Sequence, residues 1–489
     1  MTGSVRFVLG GRVVEVRDAD PTTTVLNWLR ANGRPGSKEG CAEGDCGACT
    51  VVLGDLAPDG RLLYRAVNAC ILFLPMIDGK LLLTVEDLAG EDGDLHPVQA
   101  AMVDKHASQC GFCTPGFVMA LFALHHQGRA TDGSGLTDGA IHDALAGNLC
   151  RCTGYRPILD AARTMMAERA EDRFDRAEEG IATVLRSIRR DGPLTMTHGA
   201  ASFHAPRSVD ELATLFAAHP NATLVAGATD VGLWVTKQGR SLPTLIHLAQ
   251  VRELRRIDEG ADALEVGAAA TYTDLLPVLE RRIPELAALV TRIGAAQVRN
   301  SGTLGGNVAN GSPIGDSMPA LLALGASLVL NRSGVRRELP LDRFYHGYRK
   351  NDLKPGEFVE RIRIPLPREG QRFATWKVSK RRDQDISAVC AAFLVTLDGE
   401  GQVAALRAGY GGMAATPARA PALEAALVGQ PWTADAVAAA MPALDRDFRP
   451  MTDMRASDRY RALVAKNLLM RFLLHTTGGE LPSLEAVHG

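Results

Sequence analysis

Eight of the nine cysteines of this 489-residue chain lie in its first third, and their spacing restricts the fold more than any other feature. They are Cys41, Cys46, Cys49 and Cys70, then Cys110, Cys113, Cys150 and Cys152. The ninth, Cys390, stands in the apolar run SAVCAAFLV and reads as a buried strand residue. The N-terminus, MTGSVRFVLGGRVVEV, alternates like a strand and lacks the apolar core of a signal peptide, so a cytoplasmic, reducing location is expected. Clustered cysteines in such a compartment bind metal more often than they form disulfides.

Cys41-x4-Cys46-x2-Cys49, with Cys70 after twenty intervening residues, is the plant-type spacing for a [2Fe–2S] cluster. Zinc sites usually pair C-x2-C with C-x2-C, and the x4 step argues against one. Gly40, Gly44 and Gly47 allow tight turns and close backbone approach around a small cluster. The second set reads QCGFCTPG and NLCRCTGY. Each pair precedes a helix signal: Thr114-Pro115 as N-cap and first helical residue, and Arg156-Pro157 before ILDAARTMM. Amphipathic stretches before each pair, PVQAAMVDKH and LTDGAIHDAL, bring the expected helices to four. Four thiolates held near two helix N-termini gain from the helix dipole.

This eight-cysteine pattern, with QCGFCTPG and GNLCRCTGYRPI, resembles the iron–sulfur part of the molybdenum hydroxylases over residues 4–165. The resemblance implies two [2Fe–2S] clusters, one in a β-grasp ferredoxin-like domain and one in a four-helix bundle. It also makes Gln109 a candidate contact to the pterin of a molybdenum cofactor on a partner, where the residue alone would read as a surface glutamine.

The rest of the chain divides by texture. About 150 residues per domain suggests roughly three domains in all. SVRFVLGGRVVEVRD reads as two strands about a Gly-Gly turn and TVLNWLRAN as a short helix. A charged stretch at 166–198 reads as a solvated linker. From about residue 203, short apolar runs alternate with helices. After about 370 come CAAFLVTLDGEG and QVAALRAGYGGMA, followed by Ala-rich helices, a small sheet with helices on it. The expected division is 1–90 (plant-type [2Fe–2S] ferredoxin-like), 91–165 (helical [2Fe–2S]-binding), 166–198 (charged linker), 199–368 (FAD-binding) and 369–489 (C-terminal flavoprotein). The fold class is multidomain α+β. Net charge is −2, without the basic excess of a nucleic-acid binder. No apolar run approaches the ~20 residues of a membrane span.

Neither a Rossmann nor a P-loop fingerprint occurs. Two other glycine-bearing loops do: Leu224, Val225, Ala226, Gly227, Ala228, Thr229, Asp230, Val231; and Thr303, Leu304, Gly305, Gly306, Asn307 followed by Ser312 and Asp316. Gly305-Gly306 is expected to bend the backbone into an anion nest, with Ser301, Thr303, Asn307 and Ser312 adding polar groups. The pair of loops, continued by FYHGYRK, LKPGEF and WKVSKRRDQDISAV, is similar to the FAD domain of the same family, a vanillyl-alcohol-oxidase-like fold. The similarity implies that both loops hold FAD, with Ile293, Val359 and Lys377 as further contacts. Ala228 stands where relatives often carry Gly or Asn. Arg381, Arg382, Asp383 and Asp385 read either as a solvated turn or as groups that tune the flavin and the nicotinamide approach. Tyr348 falls where family dehydrogenases contact NAD. His125-His126 and the other histidines form no ligand pattern.

Two one-electron clusters and a two-electron flavin make an electron relay to NAD+. Neither cofactor hydroxylates an organic molecule, so the resemblance implies a large molybdopterin-binding partner subunit carrying the molybdenum cofactor, in an α2β2 heterotetramer. Having iron–sulfur and FAD domains on one chain looks like the xanthine-oxidising bacterial members, which convert xanthine or hypoxanthine with NAD+ and water. Rival readings are an aldehyde or N-heterocycle hydroxylase, an NADH diaphorase, and a zinc-stapled scaffold.

Overall fold

The computed structural model describes residues 3–90, 92–127, 137–168 and 171–481. Part of the charged stretch, residues 169–170, lies outside the described residues. The chain forms two compact units. Unit 1 contains Met1–Ser208, Asn221–Val251 and Gly294–Gly302; unit 2 contains Val209–Pro220, Arg252–Ile293 and Thr303–Gly489.

In unit 1 the GG turn forms as expected. Gly10 and Gly11 both have positive φ, 57° and 72°, which a two-residue hairpin turn requires. The hairpin joins strands Val5–Leu9 and Arg12–Val16. A five-stranded sheet then runs in the order Arg12–Val16, Val5–Leu9, Leu81–Leu83, Thr50–Leu56, Leu62–Asn68. The Val5–Leu9 and Leu81–Leu83 strands pair parallel, the rest antiparallel. Helix Val25–Ala31, capped by the Thr24 hydroxyl, buries Val25, Leu26 and Leu29 in one core with Phe7, Phe73 and Cys70. This is the β-grasp arrangement. Helices Pro97–Asp104, Thr114–Gln127, Asp138–Leu145 and Arg156–Glu168 share a second core that includes Phe117, Phe122, Ile158 and Cys150.

Thr114 lies inside its helix rather than capping it. Phe117 N–H reaches back to Cys113 O, and the Thr114 hydroxyl bonds to Ser108. The charged stretch also departs from a solvated linker. It carries helices Arg173–Arg176 and Glu178–Ile188, whose Phe174, Leu185 and Ile188 join the helical core. Arg173, Arg176, Glu179 and Arg186 lie on the outer faces while Asp172 is buried, so composition masked a 3.6-residue apolar period. A four-stranded sheet, Leu194–His198, Ala201–Ala205, Thr244–His247, Thr223–Val225, completes unit 1.

Among the described residues unit 2 holds a two-stranded pair, Tyr345–Gly347 with Lys350–Asn351, and two larger sheets with separate cores. One is antiparallel, in the order Ile257–Glu259, Ala263–Gly267, Glu357–Pro365, Ser327–Arg332, Val335–Pro340, and packs with helices Tyr272–Arg282, Pro284–Val290 and Ser317–Leu324. The other runs Gln371–Val378, Val389–Leu397, Val403–Gly411, Ala418–Arg419 and is backed by helix Asp458–Thr477. Cys390 is buried in its second strand, as expected.

Candidate redox cofactor sites

The first cysteine set sits on the loop that leads into strand Thr50–Leu56 and at the end of strand Leu62–Asn68. Gly44 and Gly47 take left-handed φ of 77° and 68°, and so does Ala42 at 55°. Gly40 meets a different need: a Cβ there would stand 2.8 Å from Cys46 Sγ. Cys41 Sγ accepts backbone N–H bonds from Glu43 and Cys46, each at 3.4 Å. The four sulfurs converge and titrate against one another. Contacts with Cys46 and Cys70 hold the Cys41 thiol far below its usual range, and contact with Cys70 lowers Cys49. Cys46 and Cys70 are pushed up in return. Convergent thiols with inward N–H donors fit a cluster held by thiolates. Asn68, buried, ties the loop down by donating to Gly44 O at 3.0 Å.

The second set also converges. Cys110 is lowered, chiefly by the Phe112 backbone N–H and then by Cys152, which rises correspondingly. Burial and Cys150 raise Cys113 to about 12. Burial opposes ionisation of Cys150, but bonds from the Thr153 hydroxyl and N–H outweigh it and bring that thiol to about 7. Cys110, Cys152, Phe112, Leu149 and Tyr155 are exposed, so this set faces the surface of unit 1, as does Gln109.

The loop Leu224–Val231 leaves strand Thr223–Val225 and enters helix Val231–Thr236. Gly227 is irreplaceable on steric grounds, since a Cβ there would lie 1.7 Å from Ser301 O. Ala228 is buried with φ 59°, a left-handed conformation costing alanine roughly 1–2 kcal/mol. Strain of this kind persists where the surroundings fix the backbone. The helix after the loop rests on the first cysteine set: a Cβ on Gly232 would meet Ile71 O at 2.6 Å, and Thr236 Oγ1 donates to Ala42 O at 2.8 Å.

In unit 2, Gly305 and Gly306 form no bend. They are the start of helix Leu304–Asn310, and Gly305 is needed for contact, with a Cβ falling 2.4 Å from Ala268 O. The polar side chains nearby shape the loop itself. Thr303 Oγ1 accepts from Gly306 N–H (3.0 Å), Asn307 Oδ1 from the Ser317 hydroxyl (2.6 Å), and Ser312 Oγ from Ile314 N–H (3.4 Å). Lys377 and Asp316 form a buried pair at 2.8 Å; Ser387 donates to Asp316, and Lys377 also donates to Arg292 O. Ile293 is half-buried and Val359 buried, both in the core with the larger sheet. Tyr348 is exposed with the Arg349 guanidinium over its ring. Arg381 N–H donates to Asp385 Oδ2 at 2.8 Å, closing a tight charged turn.

One cluster escaped the sequence. His96, His125 and His126 place Nε2 at 2.7, 3.6 and 3.1 Å from Asp172 Oδ2, within the helical core. Asp172 Oδ1 accepts from Phe174 and Asp175 N–H, and Val98 N–H donates to His96 Nδ1. The His96 proton is therefore on Nε2 and donated to Asp172. Burial opposes the Asp172 charge, yet His126 and His96 hold its carboxyl well below the usual range. This is a hydrogen-bond hub that fastens helix Arg173–Arg176 to the bundle.

Four family models match the chain: a 2Fe-2S iron-sulfur cluster binding domain at 7–74, a [2Fe-2S] binding domain at 84–163, an FAD binding domain in molybdopterin dehydrogenase at 198–367, and a CO dehydrogenase flavoprotein C-terminal domain at 374–476. Xanthine dehydrogenase of Emericella nidulans is 33% identical over 91% of this chain and 36% of its own length. Xanthine dehydrogenase/oxidase of Gallus gallus is 32% identical over 88% and 36%. The chain thus spans about a third of the length of these relatives. Among solved structures, carbon monoxide dehydrogenase from Hydrogenophaga pseudoflava matches with TM-score 0.53 and 31% identity over 56% of this chain and 96% of that one. Quinoline 2-oxidoreductase from Pseudomonas putida 86 matches with TM-score 0.52 and 28% identity over 58% and 99%. Matched domain by domain from its first cysteine loop to its last helix, the chain belongs to the molybdenum hydroxylases. Within that family of oxidoreductases it is the iron–sulfur/FAD electron-transfer module, with two [2Fe–2S] domains and an FAD-binding domain. No helix among the described residues is long and apolar enough to cross a membrane.

Proposed function

We propose that this chain serves a xanthine dehydrogenase: it takes electrons from a molybdenum cofactor on a large partner subunit and delivers them through two [2Fe–2S] clusters and FAD to NAD+. Cys110, Cys113, Cys150 and Cys152 hold the entry cluster, with Gln109 toward the partner. Cys41, Cys46, Cys49 and Cys70 hold the second. Leu224–Val231, Ile293, Thr303–Asn307, Ser312, Asp316, Val359 and Lys377 hold FAD, and Tyr348, Arg381 and Asp385 attend the nicotinamide side. The domain division given above and an α2β2 assembly in the cytoplasm complete the proposal. FAD supplies the conversion between single electrons and a hydride.

One observation carries the order. Within unit 1 the first cysteine set lies against the helix that follows the Leu224–Val231 loop, while Cys110 and Cys152 of the second set are exposed. The xanthine assignment is supported by identity to xanthine dehydrogenases along nearly the whole chain. The likeness to quinoline 2-oxidoreductase favours an N-heterocycle hydroxylase as second reading.

Anaerobic addition of xanthine to the purified complex tests this. Bleaching of cluster and flavin absorbance, with colour restored by NAD+, is the expected result. No response to xanthine together with bleaching by quinoline or an aldehyde would replace the substrate. Bleaching by NADH alone, with no response to xanthine, quinoline or an aldehyde in a complex that contains molybdenum, would favour the diaphorase.

A further inference from the structure

The second cysteine set ends in a loop whose side chains bond back onto it. Gly154 and Tyr155 follow Cys150-Arg151-Cys152-Thr153 with left-handed φ of 68° and 67°. Glycine takes that conformation freely, whereas tyrosine holds it where its surroundings fix the backbone. The fixing bonds are on both sides of the ring. The Tyr155 hydroxyl accepts from Cys150 N–H at 2.9 Å, and Tyr155 N–H donates to Thr153 Oγ1 at 3.1 Å. Tyr155 O accepts from Ile158 and Leu159 N–H at the start of helix Arg156–Glu168. The turn so held leaves Thr153 beside Cys150, with Oγ1 3.1 Å from Sγ.

The direction of that bond follows from its neighbours. A threonine hydroxyl has one proton and two lone pairs. Tyr155 N–H occupies a lone pair and leaves the proton for Cys150. A cysteine that holds iron is a thiolate and has no proton to give. The hydroxyl is therefore the donor and the sulfur the acceptor. Thr153 N–H adds a longer bond to the same sulfur, at 3.5 Å, and Phe112 N–H bonds to Cys110. Those two donors belong to the backbone and stay whatever side chain stands there. In the first set, the bonds to Cys41 come from Glu43 and Cys46 N–H, again backbone. Asn68, beside Cys49, presents its carbonyl Oδ1 at 4.0 Å, which offers a thiolate no proton.

We infer that the Thr153 hydroxyl raises the reduction potential of the second cluster relative to the first, and so biases electrons toward the cluster at which they enter. Thr153 is a positioning residue that acts through Cys150. The inference rests on the second set carrying a [2Fe–2S] cluster. Reduction adds one electron, supplied in the proposed function by the molybdenum centre of the partner, to a cluster whose thiolates are already negative. Hydrogen bonds to charged acceptors are the stronger ones, and bonds to cluster sulfurs set the potential, so the donor stabilises the reduced form over the oxidised form. The hydroxyl keeps its proton, and no bond forms or breaks.

The test uses the full chain loaded with iron, poised stepwise with dithionite and mediators, with both clusters followed by electron paramagnetic resonance. The first cluster is the internal reference, because its sulfurs take their bonds from other residues. Thr153→Val keeps size but removes the hydroxyl. At a fixed poise the reduced-to-oxidised ratio of its second cluster should fall about tenfold, which for one electron is about 59 mV, while the first cluster is unchanged. Thr153→Ser keeps the hydroxyl and should restore the wild-type ratio. A wild-type ratio in Thr153→Val with both signals present overturns the inference, as does an equal fall in Thr153→Ser or a fall shared by the first cluster. If Thr153→Val takes up no second cluster, Thr153→Ala and Thr153→Ser are compared by the same measure, and equal ratios overturn the inference. Loss of the cluster from both the valine and the alanine variants would make Thr153 a determinant of assembly and overturn its role in the potential. A wild-type chain without a second cluster signal would instead refute the assignment of Cys110, Cys113, Cys150 and Cys152.

Discussion

His247 sits fully buried on strand Thr244–His247, paired with Val225 at the start of the Leu224–Val231 loop. Burial, helped by the Lys80 charge, pushes its pKa down to about 3. Below about pH 6.5 the unfolded chain binds a proton that the folded chain refuses, so stability falls on acidification, by about 1.4 kcal/mol per pH unit from this group. The contribution is complete above about 6.5 and disappears as pH falls toward 3. Urea unfolding between pH 6.5 and 5 should show His247→Leu with a shallower pH dependence than wild type by one proton; parallel curves would refute the burial argument. At this scale the cysteines were legible because three of each four lie within a few residues or repeat as close pairs. The Asp172 hub was not legible. Its histidines and its carboxylate lie far apart in sequence, and a histidine pair on an apolar helix announces no partner.

Helices and loops differ in what their glycines do. Gly116 opens helix Thr114–Gln127 against Gly47 O, whereas Gly139, in helix Asp138–Leu145, is exposed and has ordinary space around it. Alanine should therefore have opposite effects. Gly116→Ala forces the first cysteine loop off the helix and should cost about 1–3 kcal/mol, with loss of cluster absorbance at lower temperature. Gly139→Ala should gain up to about 1 kcal/mol through helix propensity alone. Equal melting temperatures for the two variants would contradict this. The sequence marks both positions as Gly and cannot distinguish them, because the distinction is made by chain that arrives from elsewhere. Gly305 is the same case: paired with Gly306 it suggests a bend, while close approach to Ala268 O makes it part of a helix start. The hairpin at Gly10-Gly11 was readable because its cause is wholly local.

Across the molecule, the proposed relay has a direction that single substitutions can interrupt. In Cys41→Ser, NADH should still bleach the flavin but leave the cluster of Cys110, Cys113, Cys150 and Cys152 oxidised on the timescale of wild-type reduction. In Cys110→Ser, NADH should still reduce the first cluster. Rapid reduction of the second cluster in Cys41→Ser would break the proposed order. Domain order was readable from the chain because each domain carries its own motif. How unit 1 is assembled was not, because its third piece, Gly294–Gly302, is nine residues with no motif of its own. Those residues bring Gln297 to Asn148, the buried Arg299 to both oxygens of Asp143 at 2.6 Å, and Asn300 to Ala66 O at 2.8 Å. Synthesis proceeds from the N-terminus and domains generally fold as they emerge. The cysteine-bearing part of this chain is an exception in one respect. A nascent chain halted before residue 294 has every cysteine ligand but leaves Asn148 Oδ1, Asp143 and Ala66 O without these partners, so the ribosome must pass well into the FAD-binding sequence before the iron–sulfur half reaches its final form.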